Sequence, residues 1–251
     1  MCRLVLMNKQ GEKEINKRYG LGNYLKFLED RFGGHGNGVI AVKNKKIVLY
    51  SKGVKLDVRD IAKQLKSLQY DWAIFHTRFA SVGSKSDRNC HPFVKGRYII
   101  AMNGTEEAVS FLSDAKDITD TEAILDIMDK YNLGIAALTN LKSIFVGFQK
   151  GEPFMVANNI RNVRLLYNKE NKAIIFASEF PKTLKKDIYE LKTRYIWNNN
   201  EINENIIKKY KPSKPVKTSN WYKYFDFDEV YGQGYFKSIN VEGDKYALWC
   251  F

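Results

Sequence analysis

Short apolar runs alternate with polar and glycine-containing segments along most of the chain. Runs of this length, rich in β-branched and aromatic residues and bounded by turn residues, are typical of buried strands. They predict strands over Arg3–Met7, Val39–Val42, Lys46–Tyr50, Trp72–Thr77, Tyr98–Met102, Ile144–Phe148, Phe154–Ala157, Val163–Tyr167 and Ala173–Ala177. The short connections favour antiparallel pairing; they are Lys43–Lys45, Gly151-Glu152 and Lys169–Asn171.

Other segments have the spacing of apolar residues that is typical of amphipathic helices. One helix is predicted over Tyr24–Phe32 before two glycines, and another over Asp57–Leu68 with Asp57 as its N-cap. A third covers Asp120–Tyr131, where acidic residues in the first turn suit the helix dipole. A fourth, basic helix is predicted over Leu184–Leu191. Together the elements predict an α+β domain in which helices cover mostly antiparallel sheets.

The composition is that of an ordinary globular protein. Of the 251 residues, 44% are hydrophobic and 27% are charged, which argues against disorder or a coiled coil. No apolar run approaches the roughly 20 residues that span a bilayer, and the N-terminal stretch lacks a secretory pattern. We therefore expect a cytoplasmic protein, and an odd, sparse set of cysteines fits a reducing compartment. The cysteines are Cys2, Cys90 and Cys250.

The formal net charge of +13 raises the affinity for phosphate-bearing partners. Basic residues are most in excess between Lys182 and Lys223. We interpret this segment as a solvated face; a nucleic-acid partner is the alternative, and no known nucleic-acid-binding signature supports it. The histidines and cysteines show no metal-ligand spacing, so neither a metal nor a cofactor is expected.

Cys2 follows the initiator methionine and is the first candidate for chemistry. Removal of Met1 would place a thiol and a free α-amine on one residue. An α-amine has a pKa of about 7.7–8.0, so it can serve as the base for its own thiol near neutral pH. By itself, a cysteine in the second position is more often incidental than catalytic.

Several further motifs follow Cys2 in a fixed order. They are GGHGNGVI at Gly33–Ile40, HTRFASVG at His76–Gly83, NCHPF at Asn89–Phe93, MNGTE at Met102–Glu106, TDTE at Thr119–Glu122 and ASE at Ala177–Glu179. In this order they resemble the glutamine amidotransferase domain of the class II, N-terminal-nucleophile family. The resemblance implies a four-layer αββα sandwich. It covers residues 1–180, and residues 181–251 would form an extension packed on the same domain.

The resemblance also implies roles that suit the chemistry of an amino-acid amide. Cys2 would be the nucleophile, and Asn103 and the backbone N–H of Gly104 would stabilise the oxyanion. Arg78 would hold the substrate carboxylate by a two-pronged hydrogen bond and Asp120 would accept from the ammonium. The rest of the glutamine pocket would comprise Ser81, Gly36 and Asn37, with His91 and Thr121 as structural neighbours.

Each motif also has an interpretation without catalysis. Arg78 can pair with any carboxylate at a strand end, and Asp120 can be an N-cap. Asn103-Gly104 can form a type I′ hairpin turn, and His76 can be a hydrogen-bonded core histidine. Val82 and Met102 depart from residues common in the family, which bears on the subfamily rather than on the named roles.

The expected reaction is attack of Cys2 on the glutamine amide, release of ammonia and hydrolysis of the thioester to glutamate. About 70 residues follow Glu179, too few for a synthase domain, so we expect a stand-alone subunit that delivers ammonia to a separate synthase. The aromatic C-terminal segment could help to dock that partner. Two alternatives stay open: an amidohydrolase acting on an amide other than glutamine, and a non-catalytic basic interaction module.

Overall fold

A computed structural model of the chain describes residues 2–109, 118–157, 163–184, 187–191, 195–198, 202 and 207–209. Two sheets are formed by these residues, and every strand pair in them is antiparallel. The prediction of mostly antiparallel sheets is therefore confirmed. No helix among the described residues is long and apolar enough to cross a membrane.

The first sheet contains eight of the described strands. Their spatial order is β13 (Ile207–Lys209), β11 (Ile188–Leu191), β9 (Arg164–Asn168), β10 (Ala173–Ala177), β1 (Arg3–Asn8), β4 (Trp72–Thr77), β2 (Asn37–Lys43) and β3 (Lys46–Gly53). Strand β1 lies inside the sheet between β10 and β4, so the residue just before it is carried into the interior of the molecule.

The second sheet contains five of the described strands. Their order is β12 (Tyr195–Trp197), β8 (Glu152–Ala157), β7 (Ile144–Gln149), β6 (Tyr98–Asn103) and β5 (Phe93–Lys95). Strands β11, β12 and β13 come from the region predicted to be an extension, and they join both sheets. The proposed domain boundary at residue 180 stays a prediction, and the aromatic C-terminal segment lies outside the described residues.

Helices cover the outer face of each sheet. Helices α1 (Lys9–Arg18), α2 (Leu21–Phe32) and α3 (Val58–Ser67) contact the first sheet, and α4 (Asp120–Lys130) contacts the second. A 3₁₀ helix, Ile135–Asn140, also contacts the second sheet. Three apolar cores separate these layers. The predicted four-layer αββα sandwich is thus confirmed.

Strand β1 shows how alternation builds two of these cores. Leu4 and Leu6 lie in the core between the sheets, whereas Val5 and Met7 lie in the core under the helices. All four side chains are fully buried. A strand that is apolar on both faces is expected where a sheet is covered on both sides.

Helix α1 is not predicted by the apolar pattern, because most of its residues are polar. Its N-cap is Asn8, whose side-chain oxygen accepts from the backbone N–H of Gly11 at 2.8 Å. A Cβ at Gly11 would lie 2.6 Å from the Ile175 side chain and 2.7 Å from the Ile174 carbonyl. The missing side chain of Gly11 therefore allows the helix backbone to lie directly against β10.

Two local predictions are wrong. The basic helix at Leu184–Leu191 is not formed, because Ile188–Leu191 is strand β11 and pairs with β9 and β13. Pairing on both edges outweighs local helix propensity here. The N-cap of α4 is Thr119, whose hydroxyl accepts from Glu122 N–H, and Asp120 is the first helical residue.

Candidate active site

Cys2 directly precedes β1, at one end of the space between the two sheets. It is 8% exposed, and its sulfur accepts the Phe79 backbone N–H at 3.3 Å. Burial raises the pKa of the Cys2 thiol; the Phe79 hydrogen bond and the Arg78 charge oppose this shift, and the Asp120 charge adds to it. A buried thiol of this kind needs a base to become a nucleophile.

Arg78 directly follows β4 and is 2% exposed. Its Nη1 donates to the Ser84 carbonyl at 2.6 Å, and its Nη2 donates to the carbonyls of Val82 at 2.7 Å and Gly83 at 3.0 Å. These bonds hold the loop after β4 around the guanidinium. Ser81 Oγ lies in this loop, 3.0 Å from Thr105 Oγ1, which connects the loop to the segment after β6.

Asn103 is the last residue of β6 and is paired in register with Ile144, which lies in the core between the sheets. Its Nδ2 donates to Ser178 Oγ at 3.0 Å, and the same oxygen accepts the Leu4 N–H at 3.1 Å. Ser178 thus links Asn103 to the strand that carries Cys2. The hairpin-turn alternative is wrong, because Asn103 is extended in β6 and its partner strand begins only at Ile144.

Gly104 has φ +154° and lies against Ser143. A Cβ at this position would be 2.0 Å from Ser143 Oγ. Ser143 is itself held by its backbone N–H, which donates to Glu106 Oε1 at 2.6 Å. The backbone at Gly104 therefore depends on the lack of a side chain.

Asp120 is 4% exposed at the first turn of α4. Its carboxylate accepts the backbone N–H groups of Glu106 and Thr121, both at 2.9 Å. Burial raises the pKa of Asp120 to about 6, although both hydrogen bonds act in the opposite direction. A buried carboxylate that changes charge near pH 6 is well suited to select a cationic group.

His76 and His91 form a buried pair beside these residues, with ring centroids 4.2 Å apart. His76 Nε2 donates to the Met102 carbonyl at 3.0 Å, and His91 Nε2 lies 2.7 Å from Thr121 Oγ1. Burial lowers the pKa of His76 to about 3 and that of His91 well below its usual value. Both rings are therefore neutral and connect β4, β6 and α4.

Gly36 contacts Arg78 through its backbone, whereas the Asn37 side chain points away from Arg78. The Gly36 carbonyl accepts the Arg78 backbone N–H at 2.8 Å, so this backbone is adjacent to Arg78. The Asn37 side chain instead donates to Glu29 Oε1 at 2.7 Å and the Leu56 carbonyl at 2.8 Å. These partners lie on the helix-covered side of the sheet, so only the backbone of Asn37 is available to a pocket at Arg78.

The charges of Arg78 and Asp120 act on the Cys2 thiol, and Asn103 reaches the same strand through Ser178. Sequence reasoning did not assign roles to Ser178, Glu106 or Ser143, although the ASE motif contains Ser178. No cluster of metal-ligating side chains occurs in the part of the chain that the structure describes. A buried cysteine that directly precedes a central strand and lies within the electrostatic reach of Arg78 and Asp120 makes this a candidate active site in an αββα sandwich.

Comparison with known proteins supports the same class of fold. No protein-family model and no curated protein sequence matches the chain. Among solved structures, the chain is similar to a glutamine phosphoribosylpyrophosphate amidotransferase from B. subtilis complexed with ADP and GMP. It is equally similar to a structure described as the allosteric regulatory enzyme of purine biosynthesis.

Both matches have a TM-score of 0.53 and 17% sequence identity, and cover 81% of this chain. The chain spans about half the length of those proteins, since 50% of each is covered. The chain therefore shares its fold with the matched part of these enzymes, and the resemblance seen in the sequence is confirmed at the level of the fold.

Proposed function

We propose that the chain is the glutamine-hydrolysing subunit of a class II glutamine amidotransferase. After removal of Met1, the α-amine of Cys2 takes the thiol proton and the sulfur attacks the side-chain carbonyl carbon of glutamine. The C–N bond breaks, ammonia leaves with the transferred proton, and a thioester remains. Water then attacks the thioester, which releases glutamate and restores the thiol.

The observation that carries this proposal is the setting of the Cys2 sulfur. It accepts a hydrogen bond from the Phe79 backbone and lies within the electrostatic reach of Arg78 and Asp120. A cation and an anion at one buried site match the carboxylate and ammonium of a free amino acid. The third group, the amide, would then face the thiol.

Asn103 and Gly104 would stabilise the tetrahedral oxyanion. An asparagine amide has two N–H groups, and one of those on Asn103 is used by Ser178. The second N–H and the backbone N–H of Gly104 would point at the developing charge. Because Ser178 also binds the strand of Cys2, donor and nucleophile would keep a fixed separation, as preorganised stabilisation requires.

One observation favours a second candidate function. The Arg78 guanidinium already donates to three loop carbonyls, so a substrate carboxylate must share or replace these bonds. An amidohydrolase that acts on an amide without a free carboxylate would leave them intact. Arg78→Ala tests the carboxylate role: glutamine turnover should fall by at least about tenfold if Arg78 binds the carboxylate, and unchanged glutamine turnover would show that it does not.

The proposal also includes a separate synthase that accepts the ammonia. Free ammonia is protonated and lost in water, so its use requires a shielded route to an acceptor site.

We place the protein in a reducing, cytoplasmic compartment, which is supported by the free thiols of Cys2 and Cys90.

The experiment that tests the function is a glutaminase assay on the full chain, with glutamate and ammonia as products. Cys2→Ala should abolish turnover, whereas the matched control Cys90→Ala should keep it, since Cys90 is also buried but has no assigned role. The intact mass of the active protein should show the loss of one methionine. Wild-type protein with the methionine removed and no glutamine turnover would refute the proposal.

A further inference from the structure

Arg3 holds the backbone of Cys2 from the face of β1 opposite the site. Its Nη1 donates to the Cys2 carbonyl at 3.1 Å. Arg3 is paired in register with Thr77, and the neighbouring residue on the same face, Val5, lies in the core under the helices. Arg3 is 8% exposed, so a charged group is buried directly behind the residue that carries the thiol.

Glu179 fixes the position of this guanidinium. Arg3 Nε lies 3.3 Å from Glu179 Oε2, although the two residues are 176 positions apart. The Glu179 carbonyl accepts the Tyr24 hydroxyl at 2.9 Å, and its carboxylate is 3.8 Å from Arg31. Both partners belong to α2, so Glu179 joins that helix to the start of β1.

We propose that Arg3, held by Glu179, is the positioning residue for Cys2 and keeps its thiol and α-amine in fixed orientation toward the site. This inference rests on the proposed function only for the chemistry that Cys2 performs. The first residue of a polypeptide frays unless it is tied down, and β1 itself begins one residue later, at Arg3. The charged hydrogen bond from Arg3 anchors the backbone of Cys2, beside the bond from the Phe79 N–H to its sulfur.

The same contact has an electrostatic consequence. Once Met1 is removed, the α-amine is attached to the carbon next to the carbonyl that Arg3 binds. A nearby cation disfavours the ammonium form and favours the thiolate, so both groups lose their protons at lower pH. Glu179 and Arg164 also act on Arg3, and Arg78 and Asp120 act on Cys2 from β4 and α4. Removal of Arg3 should therefore raise the pH at which the Cys2 thiol ionises, and removal of Glu179 should lower it.

The test is the pH dependence of Cys2 alkylation by iodoacetamide, followed on the full chain by residue-resolved mass spectrometry. Arg3→Gln should raise the midpoint by about one pH unit, and Glu179→Gln should lower it by a similar amount. Arg3→Lys keeps the charge but not the geometry of the guanidinium contacts. The midpoint of alkylation should therefore be unchanged, while glutamine turnover falls. Arg31→Gln is the matched control, because Arg31 contacts Glu179 and is about half exposed.

The outcomes separate this inference from a simple loss of stability. A fold defect would lower the thermal midpoint without shifts of opposite sign, so opposite shifts in folded variants support the positioning role. Midpoints that do not move, or that move in the same direction for Arg3→Gln and Glu179→Gln, overturn it. Because alkylation does not require turnover, opposite shifts in a protein that does not hydrolyse glutamine would refute the proposed function and support this inference.

Discussion

Gly104→Ala tests whether the backbone after β6 depends on the absence of a side chain. A Cβ there would lie 2.0 Å from Ser143 Oγ, 2.5 Å from its Cβ and 3.0 Å from its Cα. Ser143 is 1% exposed and its N–H is bound by Glu106 at 2.6 Å, so it has little room to retreat. The φ of +154° adds strain for any residue with a side chain.

The expected cost follows from these two effects. Overpacking of a filled site costs about 1–3 kcal/mol, and a residue forced into a sparsely populated backbone region costs about 1–3 kcal/mol more. In a domain of this size each kcal/mol lowers the thermal midpoint by about 2–4 °C. We therefore expect a drop of roughly 5–20 °C. If the Gly104 N–H binds the oxyanion, turnover should also fall by about 10²-fold.

The assay compares thermal unfolding and glutaminase turnover with those of Gly134→Ala. Gly134 has φ −79°, and no described heavy atom lies within 4 Å of the position that an alanine Cβ would take there. Alanine at this control position should therefore change the unfolding free energy by less than about 1 kcal/mol. If Gly104→Ala unfolds within about 2 °C of this control, the steric argument is refuted. Normal turnover in a folded Gly104→Ala protein would refute the oxyanion role.

Three further predictions concern other parts of the molecule. The pKa of Asp120 is raised to about 6, so kcat/KM for glutamine should fall as pH drops through that value. The same shift predicts that the unfolding free energy decreases as pH rises from about 4 to 6. Asp120→Asn should flatten this pH dependence in thermal melts. Asn8→Ala should lower the unfolding free energy measured by chemical denaturation by about 2 kcal/mol, and Asp57→Ala, at an exposed N-cap, by about 1 kcal/mol. The larger loss is expected because Asn8 also accepts the Ile174 N–H at 3.0 Å. Equal losses for the two variants would contradict this. Asn103→Ala should reduce turnover by about 10²–10³-fold if it is an oxyanion donor, and a loss under about tenfold would argue against that role.

Local patterns predicted most of the strands because most of them are apolar runs that are buried on both faces. Arg3–Met7 and Trp72–Thr77 are observed as β1 and β4 with a difference of at most one residue. The pattern failed where tertiary contacts decide the structure. Helix α1 has few apolar residues and depends on the Asn8 cap and on Gly11 against β10, and β11 is a strand only because β9 and β13 flank it.

The candidate site divides in the same way. The order of the motifs indicated Cys2, Arg78, Asn103 and Asp120, because each belongs to a short segment with its own recognisable chemistry. Sequence reasoning assigned no role to Ser178, which joins Asn103 to β1. It placed the turn at Asn37 in the pocket, which stays a prediction; the structure adds that the Asn37 side chain points toward Glu29.

By itself, the sequence determined the type of fold, the position of most strands and the residue types available for chemistry, since these depend on neighbours along the chain. Only the tertiary structure decided which groups meet: Arg3 behind Cys2, Glu179 behind Arg3, and Ser178 between two sheets. The last two of these contacts join residues far apart in sequence. They form only when burial of the apolar faces has packed the two sheets and brought the strand ends together.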